Sequence, residues 1–221
     1  MSVLDIPLRK AFQLFYASPA VRRRILKEDI RLDLQKESGR SRSQGGDFYQ
    51  PFWSDVKNHM SGTGGISELT EQRIKSNRGY ARLYPLLKDG ILDLINEKMR
   101  WSNEPLEILP QSAHGVLKFE DLGGAIRIKD ALYARVRGEY TRVVCPYFSE
   151  EPALPEEGGR LGLWAMQMAL KSFDPNDMRL IDPLRKRFFS PQVSPLQGQE
   201  ESVFRKHYCS LIDDRERLSH E

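Results

Sequence analysis

Ala125–Phe148 reads AIRIKDALYARVRGEYTRVVCPYF, and its period decides the fold class. Ala125 to Lys129 and Leu132 to Arg137 alternate apolar with basic or aromatic residues, the spacing of strands. Gly138-Glu139 supplies a turn, and Tyr140 to Phe148 resumes the strand pattern with Val143, Val144 and Cys145 at its centre. Because strand side chains alternate between faces, Arg135 and Arg137 share one face, and Arg142 comes back near them across the turn.

Working outward, Val116 to Phe119 predicts a preceding strand. Pro152 to Gly159 reads as a linker. Arg160 to Phe173 (RLGLWAMQMALKSF) is apolar almost all round, as a buried helix is. Met178 to Ile181 and Arg187 to Phe189 are short strands around an Asp182-Pro183 break. A closing helix from Glu200 to Leu218 aligns Phe204, Tyr208, Leu211 and Ile212.

The first half is helical in pattern. Helices are expected over Pro7–Tyr16, Pro19–Lys36 and Pro51–His59, the second opened by Ser18 and Pro19 and striped by Leu26, Ile30 and Leu34. Ser67 is placed to cap a helix through Ile74. Arg82 to Trp101 carries the longest helical period, with Gly90 as a weak point. Glu37–Gly46 and Ser61–Gly65 read as loops. The expected fold is α+β: a helical N-terminal region packed on a small, mainly antiparallel sheet, with a buried helix and a C-terminal helix. Residues 1–105 form the basic helical part and 106–221 the strand-rich part, either as two units or as one continuous domain.

From Arg82 to Ser190 the order is helix, three strands, helix, strand. This order resembles the core of the restriction-endonuclease-like (PD-(D/E)XK) nucleases. The resemblance implies an Asp on the second strand and an acidic-x-Lys on the third, holding hard metal ions that activate water. Here Asp130 stands only at the start of the second strand. The third reads Arg142-Val143-Val144-Cys145-Pro146-Tyr147, without acid or lysine, and Glu139 falls about four residues early, in the turn. The implied object is a scaffold of that kind without its ligand set. With its SEEPALPEE linker before RLGLW, the chain also resembles bacterial proteins.

Composition narrows the function classes. A hydrophobic fraction of 39% in 221 residues is enough to build a core. No apolar run reaches the roughly 18–20 residues of a membrane span. Met1–Lys10 lacks the charged-then-apolar layout of a signal peptide, so Cys145 and Cys209 are expected as reduced cytoplasmic thiols. Net charge is +3, but residues 1–100 hold 18 Lys/Arg and 12 Asp/Glu, a balance of 18 − 12 = +6. The front half is therefore the candidate for meeting something acidic.

Arg23, Lys27 and Arg31 fall on one helical line at i, i+4, i+8, and Arg40 and Arg42 follow in the loop. Two readings stand: a track for phosphates, or a solvated face with internal ion pairs. Phe48, Tyr49, Phe52 and Trp53 come next, either stacking platforms for bases or ordinary core. SGTGG at Ser61 lacks the P-loop form. The four histidines show no zinc spacing, and Cys145 sits in an apolar setting that suits an inert thiol. Arg135, Arg137, Arg142, Arg185, Lys186 and Arg187 make a second basic group.

The expected function is a non-enzymatic binding or accessory subunit in a nucleic-acid or nucleoprotein context. Its predicted contacts are Arg23, Lys27, Arg31, Arg40, Arg42, Phe48, Tyr49 and Trp53. No cofactor or metal is called for. The expected partners are a nucleic acid or an acidic protein, within a hetero- or homo-oligomer and without a membrane. Two alternatives stay open. One is a metal-dependent nuclease with relocated ligands Glu120, Asp130 and Glu139. The other is a protein-interaction subunit of the antitoxin, immunity or phage-defence kind.

Overall fold

The central strand β4 (Gly124–Val136) organises the molecule, because four other strands pair with it. A computed structural model describes residues 3–38, 47–98, 106–109, 113–136 and 138–221. On one edge of β4 lie β2 (Leu106–Ile108) and β3 (Ala113–Phe119), both antiparallel. On the other lie β1 (Asp5–Pro7), parallel, and β5 (Tyr140–Pro146), antiparallel. The sheet continues through β6 (Met178–Asp182), parallel to β5, and ends on β7 (Arg187–Phe189). The fold is thus α+β on a mixed sheet, with seven strands among the described residues.

The stretch expected as two strands is one, with a bulge. Ala113 pairs with Ala131 and Gly115 with Ile128, so β4 advances three residues while β3 advances two. The extra residue changes which side chains point which way. Ile126 and Ile128 join one core, whereas Leu132, Ala134 and Val136 join the other.

Helices cover both faces. On one side α1 (Leu8–Tyr16), α6 (Glu156–Ala169) and α7 (Glu200–Ser219) enclose Phe12, Leu163, Phe204 and Tyr208. Against them rests α2 (Pro19–Glu37). On the other side α3 (Gln50–Met60), α4 (Ile66–Ser76) and α5 (Tyr84–Asp93) enclose Phe52, Trp53, Tyr84 and Leu87. Both cores draw residues from either side of position 105.

Several expectations change. Gly65, not Ser67, precedes α4, which starts at Ile66. The period over Arg82–Trp101 gives α5 followed by a wider turn over Leu94–Lys98, and residues 99–101 lie outside the described residues. On α2, Leu34 is 60% exposed, while Asp29 is buried instead and bound to Lys10 at 2.6 Å. α6 begins at Glu156, inside the expected linker. Its glycines mimic a linker in sequence, but a Cβ at Gly159 would stand 2.1 Å from the Phe189 ring. Gly90 is likewise required rather than weak, since its Cβ would lie 1.9 Å from the Pro183 carbonyl oxygen.

Candidate nucleic-acid interface

The line on α2 is largely self-neutralised. Arg23 reaches Glu221 at 2.6 Å and Lys27 reaches the same carboxylate at 3.1 Å. Arg31 is held by Glu28, three residues earlier, through two hydrogen bonds. The hydrogen bond from Lys27 and the neighbouring charge of Arg23 keep the Glu221 carboxyl below the ordinary range. These side chains are exposed and available, but each already has a carboxylate. Arg40 and Arg42 lie outside the described residues.

The aromatic group splits. Trp53 is 6% exposed, edge-on to Phe148 with ring centroids 5.7 Å apart, so its faces serve packing rather than stacking on a ligand. Phe48 is half-buried against Tyr80 and Tyr84, and its carbonyl accepts a 2.7 Å hydrogen bond from the Tyr84 hydroxyl. Tyr49 is different. One ring face stacks on Phe148 at 5.6 Å, and the Arg9 guanidinium sits 4.6 Å from its centroid. Burial raises the Tyr49 hydroxyl above its ordinary pKa, with Arg9 opposing.

Tyr49 and Trp53 line a cleft of about 350 Å³ that the sequence reading did not assemble. Its position follows from the topology. Pairing of β1 with β4 ends at Pro7 and Arg127, and pairing of β5 with β4 begins at Leu132 and Val144. Between these points, among the described residues, neither strand continues the ladder, and the β4 bulge lies there. The strand ends Pro7 and Pro146 therefore face a gap, with Arg127, Ile128 and Lys129 forming its floor. Crevices at the carboxyl ends of strands, where the sheet changes direction, are common ligand sites in open sheets.

Three cations surround the gap. Arg9, in the first turn of α1, gives Nη2 to Asp47 at 2.6 Å. Asp47 also accepts the backbone N–H of Tyr49 at 3.0 Å, which fixes the ring beside the guanidinium. Arg127 is anchored by Asp5, through the Asp5 carbonyl at 3.0 Å and the carboxylate at 2.8 Å. A guanidinium has five N–H donors, so both arginines keep donors for a ligand. Lys129 is exposed and makes no ion pair among the described residues. Among the described residues Asp5 and Asp47 thus offset two charges and leave Lys129 as the surplus.

Cys145 closes the cleft wall but is chemically quiet. Burial pushes its thiol up to about 12, so it is protonated at neutral pH and no nucleophile. Comparison with family models, curated proteins and solved structures found no match. The chemistry must therefore be argued from these side chains.

The other predicted groups do not converge. Glu120 follows β3 at one end of β4, and Glu139 lies in the turn at the other, across roughly 40 Å of extended backbone. The relocated nuclease ligands therefore do not form one site. The side chain of Asp130 lies outside the described residues. Among the described residues no group of three or more His, Cys, Asp or Glu is placed to hold a metal ion, and no helix is long and apolar enough to cross a membrane. The second basic group is committed internally: Arg135 to Glu107, Arg142 to Asp177, Lys186 to Asp93 and Arg187 to Glu156. Arg185 bonds the Ser149 carbonyl at 2.8 Å and caps the buried Asp182. Arg137 is outside the described residues. Arg9 was not grouped with Arg127 and Lys129 because about 120 residues of chain separate it from them. The one available signal was the i, i+2 spacing of Arg127 and Lys129 on a strand.

Proposed function

We propose that the protein is a binding subunit that holds single-stranded nucleic acid, with the cleft between β1 and β5 as its principal contact. The observation that carries this reading is that Arg9, Arg127 and Lys129 line one cleft with Tyr49, Arg9 resting on its ring. Phosphates are bound by cations in a sequence-independent way, and bases associate with aromatic faces and guanidinium planes. Arg23, Lys27 and Arg31 are assigned outer contacts, reached by exchange of their present carboxylate partners, and Arg40 and Arg42 are assigned the same outer role. An accessory role within a nucleoprotein assembly fits such a module.

The test is fluorescence anisotropy with a single-stranded oligonucleotide at 50 and 200 mM salt. Three phosphate contacts predict about a 20-fold loss of affinity between those conditions. No binding at the lower salt, or binding indifferent to salt, would sink the reading.

A further inference from the structure

Resting on that reading, we infer that the cleft takes the end of a strand, one terminal nucleotide bearing a phosphate monoester, and not a strand passing through. Three features lead there. The first is size. At about 350 Å³ the cleft lies at the small end of the roughly 300–1,000 Å³ range of ligand pockets. Grooves that track single strands engage about 4–16 nucleotides per domain. This space suits one nucleotide.

The second feature is the walls. The β1–α1 corner stands on one side and Tyr49 with Phe148 on another, while β4 forms the floor and Cys145 lies in the wall. A space of this size bounded on these sides meets one end of a strand more readily than several consecutive nucleotides. The third is charge. Among the described residues Lys129 is the cation without an ion pair, and the two anchored arginines hold remaining donors in fixed orientation. A phosphate monoester carries about −1.5 to −2 charge at pH 7, against −1 for a backbone diester. The additional oxygen and charge of a strand end can take up the spare donors of the two arginines together with the Lys129 ammonium. Donors pre-aimed by Asp5 and Asp47 also lose little freedom on binding.

The bulge of β4 belongs to this device. It lies at Ile128–Ala131, where Lys129 shares a strand face with Arg127 at i, i+2, and both line the cleft. Nothing in the geometry distinguishes a 5′ from a 3′ phosphate, so the shared chemistry is the terminal monoester.

The experiment uses the full chain and four probes of one sequence: linear single strands with a 5′-phosphate, a 3′-phosphate or two hydroxyl ends, and the circular form. One or both phosphate-ended strands should bind about tenfold tighter than the hydroxyl-ended and circular probes, the size of one charge-assisted contact. Lys129→Gln, at an exposed position, should lower affinity for every probe and shrink the preference for phosphate-ended strands to about twofold or less. Equal binding of all four probes overturns the strand-end inference and leaves the nucleic-acid reading standing. Absence of binding to every probe at low salt overturns both. A preference that survives in Lys129→Gln and in Arg127→Gln moves the phosphate site elsewhere and also overturns the inference.

Discussion

The α2–α7 face and the β1–β5 cleft carry the same kinds of side chain in different surroundings. On α2, three cations stand in line on an exposed helix, and Glu221 and Glu28 meet all of them. At the cleft, three cations come from two places in the chain, α1 and β4, and converge on an aromatic wall with one charge left over among the described residues. Exposed ion pairs contribute little to stability and are screened by salt. Cations beside a buried, low-dielectric wall act more strongly on a ligand. Linear arrangement in sequence is thus a poorer guide to a binding surface than convergence in the fold.

The comparison is broken most sharply through the two thiols. Cys145 lines the cleft and Cys209 sits half-exposed on α7. With the Cys145 thiol pushed up to about 12, only roughly one molecule in ten thousand carries the thiolate at pH 8. Because burial raises this pKa, raising the pH toward 12 is what would liberate the nucleophile. A disulfide reagent at pH 8 should titrate Cys209 quickly and Cys145 only on unfolding. Cys209→Ser should remove the fast phase. A fast phase surviving in that variant would show that the cleft wall opens.

Next comes the wall itself. Phe148 is 2% exposed and contacts Tyr49, Phe52 and Trp53. Phe148→Ala should cost about 3–5 kcal/mol in urea unfolding, from lost transfer energy and the cavity left behind. Leu34→Ala, on the exposed face of α2, should change stability by less than about 0.5 kcal/mol. Similar costs at both positions would mean that α2 is covered by a partner.

A smaller effect separates the two cationic surfaces directly. Arg9→Ala removes the guanidinium from the Tyr49 ring and the bond to Asp47. Oligonucleotide affinity should fall about tenfold, while Arg23→Ala should lower it by less than about threefold. The reverse order would make the α2 line the principal contact.

How much of this was legible depends on the range of the signal. α7 and most of α2 could be read because periodicity and the Ser18-Pro19 start are local. β6 and β7 were legible from short apolar runs around Asp182-Pro183. β1 was not, since a three-residue strand containing Pro7 has no strand pattern of its own. It exists through parallel pairing with β4, more than 100 residues away. The β4 bulge was seen only as a gap between two strands, because the hydrophobic phase shifts across Lys129 and Asp130. The cleft depends on both features, so its residues could not be grouped before the pairing was known. Tyr49 was legible as an aromatic beside basic residues, but its cationic neighbour is Arg9 from α1.

The smallest predicted effect is the most discriminating for α2. Deleting Arg23 or Lys27 removes a cation and cannot show whether the present pairs mask a binding surface. Glu221→Gln removes the shared carboxylate and leaves both cations in place. Because the pair is exposed, the thermal midpoint should not move measurably. If the cleft dominates, oligonucleotide affinity at 50 mM salt should rise by no more than about twofold, the residue of long-range attraction that screening leaves. A larger rise, accompanied by a steeper salt dependence, would mean that Arg23 and Lys27 each take up a phosphate once released. The α2 face would then be an interface held closed by its own carboxylate, and its difference from the cleft would be one of regulation and not of kind.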